Sequence, residues 1–209
     1  MVSPAYQKRA PLPLFDTLEQ MQNPWQHPPE LPRHPKTSWP DYAIQDFRRS
    51  AEFLYSYRGS ADTFSSYRRE LEHFLQWLLW VADKSLKQVE RQDVERYIEF
   101  ARRPPDAWIG EKHVARFIDS EGARQANPDW RPYVVENEKE YALSQSGLQA
   151  IFAVLGSFYN YLVQEGMAEV NPVARVRQKG KFLRKSQSQT RILRLSPIQW
   201  DVVWETAES

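Results

Sequence analysis

The chain contains no cysteine and only seven glycines among its 209 residues. The lack of cysteine excludes disulfides and thiolate metal or redox sites. With so few glycines, the sequence has no glycine-rich phosphate-binding loop. It also has no run of eighteen apolar residues and no apolar signal-peptide core at its N-terminus. We therefore expect a cytoplasmic chain without a membrane partner.

Acidic residues are also missing from one long stretch, although the net charge of the whole chain is only +1. Residues 1–40 carry four Lys/Arg against three Asp/Glu, residues 41–172 carry sixteen against twenty-one, and residues 173–209 carry eight against three. Residues 173–195 contain no acid and form a basic linker. A solvated connector is one interpretation of this linker, and phosphate contact is the one we favour. Its cations are Arg175, Arg177, Lys179, Lys181, Arg184, Lys185, Arg191 and Arg194.

The first forty residues hold nine of the fifteen prolines and show no sustained periodicity. We interpret residues 1–40 as an extended, largely disordered arm with one helical turn around Thr17–Gln22. Trp25 and Trp39 are the side chains of this arm that can dock onto the rest of the molecule.

Four stretches between residues 41 and 172 have the apolar spacing of helices. The first begins at Asp41 and ends near Gly59, the second covers Ser60–Asp83, the third covers about 91–102, and the fourth, capped by Ser144 or Ser146, covers Ser144–Glu165. They predict an all-α, four-helix bundle. Residues 103–143 interrupt it as a long, partly ordered excursion with a short helix at Glu111–Ile118. After the linker, residues 196–209 begin with a helix-start signal and read as the first helix of a truncated domain.

The second helix is the element around which we expect the chain to be organised. Its inward face consists of Phe64, Tyr67, Leu71, Phe74, Leu75, Leu78 and Val81. Its outward face consists of Ser65, Arg68, Arg69, Glu72 and Gln76. Two adjacent arginines with short hydroxyls suit contact with phosphates or guanine edges, whereas a plain solvated face is the alternative.

Several motifs recur in order across the later helices. The second helix and the segment after it contain Thr63-x-x-x-Tyr67-x-x-x-Leu71-x-x-Phe74-Leu-x-Trp77-Leu and Leu86-x-x-Val89-x-x-x-Asp93-Val-x-x-Tyr97-Ile. The fourth helix and its ends contain Leu143-Ser-x-Ser146, Phe158-Tyr-x-Tyr161-Leu-Val and Glu165-Gly-x-x-x-x-Asn171-Pro172. This ordered set resembles the N-terminal core-binding domain of tyrosine recombinases, also called phage integrases. The resemblance covers about Ser60–Pro172 and extends into Leu195-Ser-Pro-Ile-Gln-Trp200, which looks like the opening of the catalytic domain.

The resemblance implies a SAM-like four-helix domain that forms half of a clamp around double-stranded DNA at a recombination core site. It further implies a bacterial or phage-encoded, nucleoid-associated protein that can contact other integrase protomers. Carried over by position, the DNA-binding residues of the second helix are Thr63, Ser65, Ser66, Arg68 and Arg69. Those of the fourth helix are Ser144, Gln145, Ser146 and Gln149. In the linker, Arg175, Arg177, Lys179, Lys181, Arg184 and Lys185 are the expected phosphate contacts.

Catalytic residues are not expected in these 209 residues. In the family that the chain resembles, the tyrosine nucleophile and its arginine, lysine and histidine partners lie in the second domain. His113-Val-Ala-Arg116 has the family's HxxR spacing but lies upstream of the linker. Glu70-Leu-Glu-His73 has the spacing of a carboxylate metal site but lacks a second copy, so we interpret it as part of a surface helix.

We thus expect a DNA-binding protein that needs no metal and no cofactor and is not itself an enzyme. The alternative function is a helical protein-interaction module, or a competitor, that regulates integrase assembly. In that case the apolar residues around Trp200–Trp204 would hold integrase subunits together.

Overall fold

The computed structural model describes residues 10–32, 39–120, 122–135 and 140–176. Four α-helices occur in these residues: α1 (Asp41–Tyr55), α2 (Ala61–Trp77), α3 (Arg91–Arg102) and α4 (Gln145–Gln164). Each lies where the apolar spacing predicts a helix. None of the described helices combines the length and the apolar character that a membrane span requires.

Helix α2 lies at the centre of the core and packs against both α1 and α4. The apolar residues of its inward face that are at most 1% exposed are Phe64, Leu71, Phe74, Leu75 and Leu78. A helical π-turn, Leu78–Ala82, extends α2, and Asp83 ends it in the left-handed conformation with φ of 49°. Because burial of one such side chain contributes about 1.5–3 kcal/mol, this stripe is a main source of stability.

Two small sheets occupy the excursion between α3 and α4. Strand β1 (Ile109–Gly110) pairs in parallel with β4 (Tyr133–Val134), and β2 (Phe117–Ser120) pairs antiparallel with β3 (Ala123–Ala126). The four-helix expectation therefore holds, but the all-α class is not confirmed. The helix expected at 111–118 is also wrong: its last two residues belong to β2, the residues before them form no helix, and Gly122, with φ of 77°, supplies the turn conformation before β3.

Residues 10–32 of the arm pack against the helices, whereas the sequence predicts a largely disordered arm over residues 1–40. Leu14 and Phe15 are each only 4% exposed. A single 3-10 turn at Leu18–Gln20 falls within the expected helical turn. The apolar side chains and backbone N–H groups of the arm find partners on α1 and α2. Composition alone cannot predict contacts with partners so distant in sequence.

Both tryptophans of the arm contact the helices, as the sequence suggested. The Trp25 ring packs edge-on against Tyr55 with centroids 5.7 Å apart, and Trp39 packs edge-on against Trp80 at 6.0 Å.

The described chain ends in a turn that belongs to the core. Val173 is fully buried and Val176 is 3% exposed. The Asn171 side-chain oxygen accepts hydrogen bonds from the backbone N–H groups of Val173 and Ala174 at 2.9 and 3.1 Å. The first four residues of the predicted linker, 173–176, thus include two side chains that pack in the core. Of the linker residues, Arg175 is described and exposed, whereas residues 177–209, with the predicted last helix, lie outside the described residues.

Candidate nucleic-acid interface

The N-terminal turns of α2 present short hydroxyls and one accessible arginine. Ser60 precedes the helix, and its Oγ lies 2.9 Å from the Oγ1 of the partly buried Thr63. Ser65 is exposed and Ser66 is partly buried. Arg69 follows Ser65 by four residues, so both side chains lie on the same stripe of the helix.

Arg69 keeps its guanidinium accessible while it is held in place. Its side chain is 53% exposed, and its Nε donates to Glu70 Oε1 at 2.8 Å. The guanidinium uses one of its five donor hydrogens in this contact, so others can bind a phosphate or a base edge.

Arg68, in contrast, is not on a free polar face. Its guanidinium donates to the backbone oxygen of Asp16 at 2.5 Å and lies 5.5 Å from the centre of the Phe64 ring. Burial lowers the pKa of the Arg68 guanidinium. The outward assignment is likewise wrong for Glu72 and Gln76, which are fully buried. These three residues are spaced four apart and bind the arm, a partner that helical periodicity alone does not reveal.

Glu70 and His73 are buried, at 6% exposure each, so the interpretation of their motif as a surface helix is also wrong. The excursion covers them: the His73 ring centre lies 4.9 Å from that of Tyr133, which lies 5.1 Å from that of Tyr141. Burial raises the pKa of Glu70 and lowers that of His73 well below its usual value. Among the described residues, no group of three His, Cys, Asp or Glu side chains is arranged to hold a metal ion.

The charges of Glu70 and Arg69 act on Tyr141, in the segment that leads into α4. Burial raises the pKa of Tyr141 to about 12, the Glu70 carboxylate raises it further, and the Arg69 guanidinium acts in the opposite direction. Tyr141 is only three residues before Ser144, the N-cap of α4. Arg69 therefore acts on a residue of the segment that leads into α4.

The first turn of α4 has the features of an anion-binding helix end. Ser144 Oγ accepts a hydrogen bond from the Gly147 N–H at 3.0 Å and lies 3.0 Å from Ser146 Oγ. Ser144, Ser146 and Gln149 are exposed, and Gln145 is partly buried. The N-terminal N–H groups of a twenty-residue helix carry a partial positive charge, which favours a phosphate.

A second basic surface was not predicted from the sequence. An open groove of about 1460 Å³ lies between residues 86–92 and residues 166–175. Lys87, Arg91 and Arg175 line it, together with Glu90 and Glu169. Because its cations come from two segments about 85 residues apart, no local motif in the sequence indicates it.

The arginine of the HxxR motif in the excursion has a structural role. Arg116 donates to the buried carboxylate of Glu72, and its guanidinium lies 4.8 Å from the centre of the Trp130 ring. His113 is exposed and belongs to neither contact.

Residues 49–120 match the family model described as the phage integrase N-terminal SAM-like domain. The matched range contains the second half of α1, all of α2 and α3, and the first two strands. The match covers 72 of the 209 residues and confirms, for this domain, the resemblance to the phage integrase, or tyrosine recombinase, family seen in the sequence motifs. No curated protein and no solved structure matches the chain.

Proposed function

We propose that these residues bind double-stranded DNA at a recombination core site, as the N-terminal part of a tyrosine-type site-specific recombinase or integrase. The observation that carries this proposal is the family match, because it spans α2 and α3 entirely. The exposed Arg69 and Ser65 of α2 and the first turn of α4 are the two helix segments that we propose to face one duplex. Ser144, Ser146 and Gln149 are the exposed α4 residues of this surface.

In this proposal the basic linker provides affinity for DNA, and the polar side chains of the helices provide specificity. The body, residues 41–172, carries sixteen cations and twenty-one acids and therefore approaches DNA against mild repulsion. The linker supplies the compensating attraction to phosphates, which is independent of base sequence. Arg69 and the polar side chains of α4 supply the directional contacts that fix the register on the duplex.

Replacing Arg69 with alanine is expected to weaken DNA binding by about 5-fold to 150-fold, because a good base contact by an arginine contributes about 1–3 kcal/mol. The substitution also removes the donor to the buried Glu70, so we expect some loss of stability, and the variant should remain folded. Fluorescence anisotropy with a labelled duplex measures the affinity, and thermal unfolding measures the stability.

Arg49→Ala is the matched control for Arg69→Ala. Arg49 is 48% exposed and pairs with Glu52 at 2.8 Å, much as Arg69 pairs with Glu70, but it lies on α1. We expect this control to bind DNA as the unchanged chain does. Equal affinity of the Arg69 variant and the control would show that α2 does not face the duplex. Arg68 is unsuitable for this test because its substitution also removes a contact to the arm.

We further propose that the 209-residue chain binds DNA without cutting it, since two of its tyrosine hydroxyls are unsuited to attack a phosphate. Tyr42 donates to Asp83 at 2.8 Å and Tyr161 to Glu52 at 3.3 Å, and a carboxylate beside a hydroxyl repels a phosphate. Burial raises the pKa of both hydroxyls, and the neighbouring carboxylates raise it further, which makes them poor nucleophiles.

A nicked suicide substrate, which traps the covalent intermediate of tyrosine recombinases, tests this second proposal. We expect no protein–DNA adduct on a denaturing gel after incubation with the 209-residue chain. The control is the same substrate with an active tyrosine recombinase, which yields the adduct. A phosphotyrosyl adduct formed by this chain would contradict the proposal.

A further inference from the structure

Three polar side chains on one stripe of α2 hydrogen-bond to the backbone of the arm. Gln76 Nε2 donates to Leu12 O at 2.9 Å. Glu72 Oε1 accepts from the N–H groups of Leu14 and Phe15 at 2.5 and 3.1 Å. Arg68 completes this stripe by its contact with the backbone oxygen of Asp16 at 2.5 Å. We call Arg68, Glu72 and Gln76 the α2 stripe.

The spacing of the α2 stripe fits an extended peptide. Eight residues of helix rise about 12 Å, and four residues of extended chain span about 13 Å. The two segments run in opposite directions, since Gln76 binds Leu12 and Arg68 binds Asp16. The stripe therefore recognises main-chain groups in sequence, as peptide-binding sites do.

The surroundings of the docked side chains favour a peptide with two apolar residues followed by an acidic residue. Leu14 and Phe15 are almost completely buried, and the Phe15 ring stacks on Phe47 at 4.9 Å between centroids. The Asp16 carboxylate accepts a hydrogen bond from Arg124 at 2.9 Å. The contact is thus built for a segment of the kind Leu-Phe-Asp.

The α2 stripe requires an occupant. Glu72 is fully buried, and besides the two arm N–H groups it binds Arg116. Without a docked peptide, a buried carboxylate would lose two of its donors. Beyond residue 16 the arm is more exposed: Trp25 is 59% exposed although its ring contacts Tyr55, and a cavity of about 340 Å³ lies among residues 14–16, residues 20–32, Phe47 and Ala51.

We propose that the α2 stripe is an exchangeable docking site, and that residues 12–16 of a second copy of this chain can occupy it. Residues 17–40 connect the docked segment to α1, and these 24 residues reach about 80 Å when extended. That reach exceeds the diameter of a domain of this size, whose radius of gyration is about 17 Å. Every contact of the docked segment can form equally with its own chain or with a neighbour, so exchange is favoured where copies are held side by side.

Two complementary variants of the full chain test this exchange. The arm variant, Leu14→Asp with Phe15→Asp, cannot fill the site. The stripe variant, Glu72→Leu with Arg116→Leu, replaces a buried ion pair by apolar groups and leaves its own arm undocked. We expect each variant alone to sediment as a monomer and their equimolar mixture to form a 1:1 complex at micromolar concentration. Two folded variants that stay separate would overturn the proposal.

A Trp25→Asp variant, mixed with the stripe variant, serves as the control because Trp25 lies outside the docked segment. We expect no complex in that mixture, and an equally stable complex there would overturn the assignment of the site.

A second measurement covers the case in which a double variant does not fold. Because the chain has no cysteine, single Phe15→Cys and Phe47→Cys chains can be mixed and oxidised. Preferential disulfide formation between the two different chains supports exchange, and random pairing contradicts it.

Discussion

Replacing Glu72 with alanine is expected to lower the free energy of unfolding by about 3–5 kcal/mol, the usual cost of removing one partner of a buried ion pair. Glu72 is fully buried and holds three donors, the N–H groups of Leu14 and Phe15 and the guanidinium of Arg116. Its loss would leave all three without their acceptor and would release the arm from α2. The substitution therefore removes hydrogen bonds to both the arm and the excursion.

Chemical denaturation followed by circular dichroism measures the effect of Glu72→Ala. Glu99→Ala is the matched control, since the Glu99 side chain is 64% exposed and pairs with Arg102 at 3.1 Å on the helix surface. We expect the control to change stability by less than about 0.5 kcal/mol. Equal unfolding midpoints for the two variants would show that the arm and the excursion do not depend on Glu72.

Neutralising the cations of the linker is expected to produce the largest loss of DNA affinity. The variant carries glutamine at Arg177, Lys179, Lys181, Arg184, Lys185, Arg191 and Arg194. If five or six of these side chains displace counterions, the slope of log affinity against log salt falls by about five units, at about 0.9 per phosphate. Sequence preference should change little, because phosphate contacts carry no base information.

Substitution is a better test of the linker than truncation after Pro172. Truncation would remove Val173 and Val176, which are buried in the core. The control carries Ser186→Ala and Ser188→Ala, which leave the charge of the same segment unchanged. Binding isotherms at a series of salt concentrations decide the matter: equal slopes for all three chains would show that the linker is only a tether.

The helices could be predicted because their signals are local. Pro104 and Pro105 stop α3, so its expected range of about 91–102 agrees with the observed Arg91–Arg102. Ser144 was one of two proposed caps for α4 and is the residue that accepts the Gly147 N–H. The apolar stripe of α2 identified its buried face correctly, since apolar spacing depends only on the helix itself.

The arm and the excursion could not be predicted, because their partners are distant in sequence. The Arg116 contact with Glu72 joins residues 44 positions apart, and the Arg68 contact with Asp16 joins residues 52 apart. From sequence alone, a charged side chain on a helix is assigned to the solvent-exposed face unless a distant partner is known. For this reason the sequence placed Arg68 on a free polar face, whereas its guanidinium binds the arm; a DNA-contact role for Arg69 and Ser144 stays a prediction. The short strands have too few residues to show a period of two.

Titration of a labelled duplex of random sequence with the 209-residue chain tests the central claim, DNA binding, most directly. The account predicts saturable binding at about 50 mM salt that weakens steeply as salt rises, with Arg69→Ala weaker than Arg49→Ala throughout. Absence of binding at low salt, by a chain whose circular dichroism shows intact helices, would contradict the account and would favour a protein-interaction module.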